Sequence, residues 1–346
     1  MRNLIRKLDE KSTLEKEEWI WLFEHRDLID REELFALARA RTYEHYEHKI
    51  FVRGLIEFTN YCRNNCYYCG IRSGNQLVSR FRLTTEEILD CCQLSYEAGF
   101  RTVVLQGGED AFFTKERLCE IIEAIRRKFP EVAITLSIGE RPREDYEAFF
   151  LAGAERFLLR HETYSPSHYA RLHPENLSAK ARQKCLTDLK EIGYQAGSGF
   201  MVGSPYQTPE NLAEDFLYLK ELDPQMIGIG PFIAHKDTPF GAMTSGTVAD
   251  TLLCIALLRL MLPKVLLPST TALGALALDG RKKGVLAGAN VLMQNVTPSA
   301  QRLNYTLYNN KERAKDIDLS PDNPLFKELE QLGYAIVSER GDSKNV

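Results

Sequence analysis

The chain has 346 residues, 44% of them hydrophobic and 27% charged, which is ordinary globular composition and enough length for one large core. A formal net charge of -4 with both signs interspersed argues against a nucleic-acid binder, which would show a basic face. The charged start "MRNLIRKLDEKSTLEKEEWIW" has no signal-peptide core and no later segment is apolar for long enough to span a bilayer, so a cytoplasmic protein is expected, its eight cysteines reduced and some of them metal ligands.

Residues 1–50 are expected to form a helical extension, in which "STLEKEEWIWLFEHR" opens a helix with Ser12 and Glu15 spaced as a capping box. Over 51–310, short β-branched or apolar runs alternate with amphipathic helical stretches. The runs are "VRGLIEF", "TVVLQGG", "VAITLSIG", "RFLLRHE", "YQAGSGFMVG", "MIGIGPFI", "VLLPSTTA" and "ANVLMQN". In the intervening "TTEEILDCCQLSYEAGF" and "PENLAEDFLYLKELD", apolar residues recur at helical spacing and a Gly or Asp-Pro closes the element. Strand and helix repeated eight times predict a complete (β/α)8 TIM-type barrel, since an open doubly wound sheet has no reason to stop at eight units. Residues 311–346, which include "SPDNPLFKELEQLGYAIVSERGDSKNV", are expected to be a C-terminal helical tail packed on the barrel.

Chemistry in such a barrel sits at the C-terminal ends of the strands. There "FTNYCRNNCYYCGIRSGN" places Cys62, Cys66 and Cys69 directly after the first strand. A structural zinc wants four tetrahedral ligands, and the only nearby histidine, His48, lies at the far end of that strand. A [4Fe–4S] cluster normally takes one thiolate per iron, so three thiolates leave one iron open to a ligand. The other five cysteines, Cys91, Cys92, Cys119, Cys185 and Cys254, fall in helical stretches, on the outer ring of a barrel.

At Cys-x3-Cys-x2-Cys, with Tyr68 before the third cysteine, the chain resembles the radical S-adenosylmethionine enzymes. The resemblance implies that the open iron chelates the methionyl amine and carboxylate, and that an electron from the cluster cleaves the sulfonium to give a 5′-deoxyadenosyl radical. "LQGGED" resembles the glycine-rich element that receives the methionyl amine, where Gly107 and Gly108 permit a close approach. "TLSIGERPREDY", "FLLRHET", "MVGSPYQT", "MIGIGPFIAHKDTP", "LPSTTALG" and "GANVLMQNVTPS" narrow the likeness to the radical maturases that help assemble the organometallic cluster of [FeFe]-hydrogenase. That implies a small iron–cysteine complex with carbonyl and cyanide ligands as substrate. It also implies an external one-electron donor of flavodoxin or ferredoxin type, other hydrogenase maturases as partners, and neither nucleic acid nor membrane.

Carried over by position, the resemblance assigns Ser137, Glu162 and Arg182 to S-adenosylmethionine, alongside Tyr68, Gly107 and Gly108. Hydroxyl, carboxylate and guanidinium groups suit its polar ends. Arg182, in a helical stretch, reads from the residues alone as a solvated surface arginine. For the substrate pocket it assigns Arg160, Thr270, Thr271, Tyr305 and Tyr308, with Arg160 expected to point away from Glu162 unless the strand end twists. Met226 and Met293 read as core or pocket packing, and His235 as a loop histidine outside the catalytic set. No cysteine follows "LYNNKERAKDIDLSPDNP", so no second cluster is expected there, and His173 in "ARLHPEN" stands where the family pattern has an arginine. Methylornithine synthase, a mutase sharing barrel and cysteines, is the rival enzyme. Biotin synthase is disfavoured because the strands lack ligands for a sulfur-donating cluster. A non-catalytic iron–sulfur carrier is the rival from another class, and it would not need the nucleoside-binding residues.

Overall fold

The computed structural model describes residues 1–311, 318–320 and 322–345. Its longest strand, β1 (Lys49–Thr59), is buried at every position after the first, as expected for a strand with barrel interior on one face and helices on the other. It is followed by β2 (Thr102–Gly107), β3 (Ala133–Ser137), β4 (Arg156–Leu158), β5 (Gln195–Ser198), β6 (Met201–Val202), β7 (Met226–Ile227), β8 (Gly230–Pro231), β9 (Pro268–Ser269), β10 (Val291–Asn295) and β11 (Ala335–Val337). Hydrogen bonding runs in the order β7-β5-β4-β3-β2-β1-β10-β9, every pair parallel. A parallel bridge between Met226 and Leu266 joins the two ends. The expected eight-stranded barrel is therefore present and closed.

Two of the apolar runs break into two strands each. "YQAGSGFMVG" becomes β5 and β6, and "MIGIGPFI" becomes β7 and β8, with β6 pairing β8 above the barrel wall. The break falls where the chains press together, since a Cβ on Gly199 would lie 2.1 Å from the Gly228 carbonyl oxygen.

Three helices, Arg2–Lys11, Lys16–Glu24 and Arg31–Tyr46, precede β1. Ser12 does not open the second of them. It ends the first in a left-handed conformation, φ 55°, while Glu15 caps the second in a box with Glu18. Ile5 and Leu8 bury a stripe of their own, so residues 2–11 need a helix that stops before the next begins. Trp19 packs on Phe216 of the helix Pro209–Leu222 at 4.6 Å between ring centroids. Helix Val248–Met261 lies between the barrel and Arg31–Tyr46 and is buried continuously over 251–261, which accounts for its apolar character all round. Among the described residues no helix is long and apolar enough to cross a membrane.

The C-terminal segment contributes helix Pro324–Gln331 and then a strand the sequence reading did not contain, β11, which pairs with the start of β1. Beyond it the chain runs beneath the N-terminal mouth of the barrel. Asp342 accepts from Arg156 at 2.6 Å and from Gln195 at 2.9 Å, and the Asn345 amide donates to Asp223 at 2.8 Å. Burial pushes the Asp342 carboxyl up, but hydrogen bonds from Arg156 and Gln195 outweigh it and hold it down at about 2. A folded value below the unfolded one stabilises the fold fully above about pH 4, and the contribution is lost as pH falls towards 2. Asp342→Ala is expected to cost about 1 kcal/mol at neutral pH, a figure reduced because the carboxylate is 44% exposed. It should also flatten the fall of Tm between pH 4 and pH 2, and equal acid slopes in variant and parent would contradict the assignment.

Candidate functional site

A cavity of about 340 Å³ opens at the C-terminal ends of the strands. One wall is the loop after β1. Its folding rests on its own polar side chains: Asn60 bonds Ser79, Phe81 and Asn304, while Arg80 collects the carbonyls of Asn60, Ile71, Arg72 and Asn75. Cys62, Cys66 and Cys69 project from this loop into the cavity wall as free thiols. Burial raises all three, Cys66 to about 12. Among the described residues no three ligating side chains converge on a single ion. That suits thiolates that each take a separate iron of one cluster.

Tyr68, beside Cys69, lines the same cavity and donates its hydroxyl to Nε2 of His173 at 3.1 Å. Nδ1 of His173 faces the Tyr169 carbonyl at 3.0 Å, which assigns the proton to Nδ1 and leaves Nε2 as acceptor. Burial, with Arg182 nearby, holds this imidazole down at about 3, so it is neutral. His173 thus supplies an uncharged acceptor that orients Tyr68. His235 packs against Gly70 of the cysteine loop and is not among the cavity-lining residues.

The end of β2 presses against the cysteine loop. A Cβ on Gly108 would lie 2.2 Å from the Tyr61 carbonyl and 2.7 Å from Cys62 Cβ, whereas one on Gly107 would meet Thr59 Cγ2 at 2.7 Å. Glu109, which the sequence reading passed over, is 6% exposed and accepts from Arg63 and from the Glu140 amide, both at 2.9 Å. It ties the cysteine loop to the end of β3, where Ser137 also faces the cavity. Its signal was the acidic pair immediately after the glycines.

Arg160 and Glu162 both face the cavity, contrary to the expectation that they diverge. Both lie beyond the end of β4, where strand alternation no longer applies, and Nη2 of Arg160 lies 2.8 Å from Oε2 of Glu162. Glu162 has a φ of 65°, rare for a residue with a side chain, and its amide and carbonyl are held by Gly199 and Met201. His161 between them points outward into a buried chain, with Ser198 at 2.9 Å and Asp215 at 3.2 Å. Despite their proximity, Arg160 Nη2 and Glu162 Oε2 are too poorly aligned to hydrogen-bond, and both are buried without another partner.

Arg182 is not solvated. It is 8% exposed in helix Ala179–Ile192, and it donates to Glu140 at 2.6 Å and to the Arg160 carbonyl at 3.1 Å. The first turn of that helix overhangs the cavity, which no helical periodicity could reveal.

Thr270 and Thr271 enter from the end of β9. The Thr270 hydroxyl is buried and unpartnered, and that of Thr271 is 3.2 Å from the Tyr308 hydroxyl. Tyr305 and Tyr308 belong to a segment crossing the barrel mouth, pinned by Gly70 N to Leu307 O at 2.9 Å and by Lys311 to Glu57 at 2.5 Å. Met293 lines the cavity, while Met226 lies below it with its sulfur 2.7 Å from Arg53. The stretch after Tyr308, where no second cluster is expected, includes residues 312–317 and 321, which lie outside the described residues. The chain's own groups thus fit a cluster and a charged nucleoside: three half-buried thiols, a glycine cradle closed to any Cβ, and polar atoms left without hydrogen-bond partners.

Residues 56–219 match the Radical SAM superfamily. The chain is 42% identical over 315 residues to the [FeFe] hydrogenase maturase subunit HydE of Thermotoga maritima, covering 91% of this chain and 90% of that protein. It is 28% identical over 305 residues to the 3-methylornithine synthase of Methanosarcina acetivorans, covering 87% and 84%. Among solved structures, methylornithine synthase PylB matches with a TM-score of 0.83 at 25% identity, over 96% of this chain and 97% of that one. Membership implies a [4Fe–4S] cluster and S-adenosylmethionine. With a near full-length relative at this identity and the three-thiol loop at the head of a closed barrel, the chain is a radical SAM enzyme and belongs to the family of the [FeFe]-hydrogenase maturase HydE.

Proposed function

We propose that this enzyme acts in assembly of the [FeFe]-hydrogenase active-site cluster, on a small iron–cysteine complex bearing carbonyl and cyanide ligands. The observation that carries the reading is that a single cavity extends from the three thiols to Arg160, Thr270 and Thr271. When bound, a cluster reduced by a flavodoxin- or ferredoxin-type donor would supply the one electron that breaks the C5′–S bond of S-adenosylmethionine, releasing methionine and leaving a 5′-deoxyadenosyl radical. Cys62, Cys66 and Cys69 hold three of its irons. Gly107 and Gly108 let the backbone approach the methionyl end, and Ser137, Glu162 and Arg182 hold polar groups of the cofactor, with Tyr68 packed beside the cluster loop. Arg160, Thr270 and Thr271 bind the carboxylate of the cysteine ligand, and Tyr305 and Tyr308 close the mouth above it. Enclosure matters because the radical would abstract hydrogen from any C–H or S–H group it reached, so stray side chains and solutes have to be kept away. One cluster per chain is proposed, since no cysteine follows Cys254. Other hydrogenase maturases would hand the substrate over.

Arg160→Gln tests the substrate end. It removes the bidentate cation while leaving the thiols untouched, so deoxyadenosine formation with the iron–cysteine complex should fall about 10–100-fold, the equivalent of about 1.5–3 kcal/mol. Cluster content should stay the same. Undiminished turnover would overturn the assignment. The likeness to methylornithine synthase supports a second reading, a mutase acting on lysine, and the same anaerobic assay with lysine and isomer detection separates the two.

A further inference from the structure

Glu57 of β1 is fully buried yet lines the cavity. Its Oε1 takes the Lys311 ammonium at 2.5 Å, and Lys311 also donates to the Tyr305 carbonyl at 2.7 Å. Oε2, equally shielded from water, makes no hydrogen bond of good geometry; burial pushes the carboxyl up, opposed by Lys311 and by the Asn295 side chain beside it. A buried carboxylate oxygen without a donor is destabilising, so one left open at a cavity wall points to a donor that arrives with a ligand. A side pocket of about 50 Å³ opens here, bounded by Glu57, Lys311, Asn295 and Thr271. It is large enough for an amine and too small for a nucleoside.

The main cavity carries the complementary vacancies. Nε of Arg160 and the Thr270 hydroxyl are buried donors without hydrogen-bond partners, while Nη2 of Arg160 has Glu162 only as an ion-pair neighbour at 2.8 Å. Tyr308 lines the same cavity; burial raises its phenol, the Glu57 carboxylate adds to the rise, and the Thr271 hydroxyl and the Arg160 guanidinium oppose it. A carboxylate and a guanidinium on one cavity, each ion-paired yet with a hydrogen-bonding position left open, are complementary to the two ends of a zwitterion.

We infer that Glu57 accepts the N–H groups of the substrate's α-ammonium or metal-bound amine, making this a site for α-amino-acid derivatives rather than simple carboxylates. The inference rests on the proposed function only in placing an amino-acid substrate in this cavity. Lys311 keeps Oε1 and the amine takes Oε2, so the carboxylate serves both cations at once. The competing role for Glu57 is a latch that merely secures the mouth segment through Lys311.

The test uses anaerobically reconstituted holoenzyme with S-adenosylmethionine bound, and measures dissociation constants for two matched pairs: L-cysteine against 3-mercaptopropionate, and L-lysine against 6-aminohexanoate. Each pair shares its terminal group and differs in the α-amine. Wild-type protein should favour the amino acid by about tenfold or more in at least one pair. Glu57→Gln, which keeps an acceptor for Lys311, should reduce that preference to within about twofold at unchanged cofactor affinity and cluster absorbance. Lys311→Met should retain the preference. A wild-type protein indifferent in both pairs, a Glu57→Gln protein that still discriminates, or a Lys311→Met protein that loses discrimination equally would each overturn the inference. Glu57-dependent preference confined to the lysine pair would uphold it while refuting the iron–cysteine substrate, and preference in the cysteine pair would uphold both.

Discussion

Cys66→Ala protein is expected to fold as a barrel, to bind less than a tenth of the iron held by the parent after anaerobic reconstitution, and to form no 5′-deoxyadenosine. The reason is ligand supply: with two thiols left, a cluster that takes one thiolate per iron loses a corner it cannot replace, since no other ligating group converges there among the described residues. The fold should survive because the loop is organised by Asn60 and Arg80, not by the thiols. Cys62→Ala and Cys69→Ala should behave alike. Cys254→Ala is the control: that thiol is buried in the outer helix Val248–Met261, so its removal should cost about 1 kcal/mol of stability and no iron. Full iron content with retained cofactor cleavage in Cys66→Ala would remove the basis of the site.

Gly108→Ala should have the second largest effect. Its methyl would sit 2.2 Å from the Tyr61 carbonyl oxygen and 2.7 Å from Cys62 Cβ. Real contacts of this kind do not close so far, so the backbone carrying the first cluster ligand has to retreat by about 1 Å in a close-packed wall. Overpacking of this sort costs about 1–3 kcal/mol, and the displaced loop should lose most of its iron and at least about tenfold in cofactor affinity. Gly107→Ala, whose methyl would meet Thr59 Cγ2 and the Phe58 ring, presses on side chains and not on the backbone of the cysteine loop, and should be milder on both readouts. Equal effects at the two positions would show that the contact with Tyr61 is not what matters. Circular dichroism and Tm separate loss of the site from loss of the fold.

The strands were legible because burial on both faces leaves runs of apolar and β-branched residues, and β1, β2, β3 and β10 follow from that pattern directly. β11 was not, since "AIV" is too short to separate from the end of a helix and becomes a strand only by pairing with Lys49–Phe51. Ser12 and Glu15 both had capping chemistry, and which one opens a helix depended on where the preceding helix had to stop. Arg182 carries no sign in its helix of the cavity above it. Glu57, Glu109 and Lys311 were missed for a common reason: a lone charged residue shows nothing of its partner until the fold supplies one.

By itself the sequence determined the cluster loop and the barrel. Cys62, Cys66 and Cys69 are close along the chain, and local spacing suffices to bring thiols onto one loop, while the alternation of apolar runs and amphipathic helices is read directly by hydrophobic burial. Only the tertiary structure decided which polar groups meet at the two ends of the barrel. Glu57 finds Lys311 across 254 residues, Arg182 finds Glu140 across 42, and Arg156 finds Asp342 across 186. Such contacts depend on barrel closure, because a charged side chain is tolerated in the interior only where a partner from a distant segment offsets its desolvation, and no local pattern records where that partner comes from.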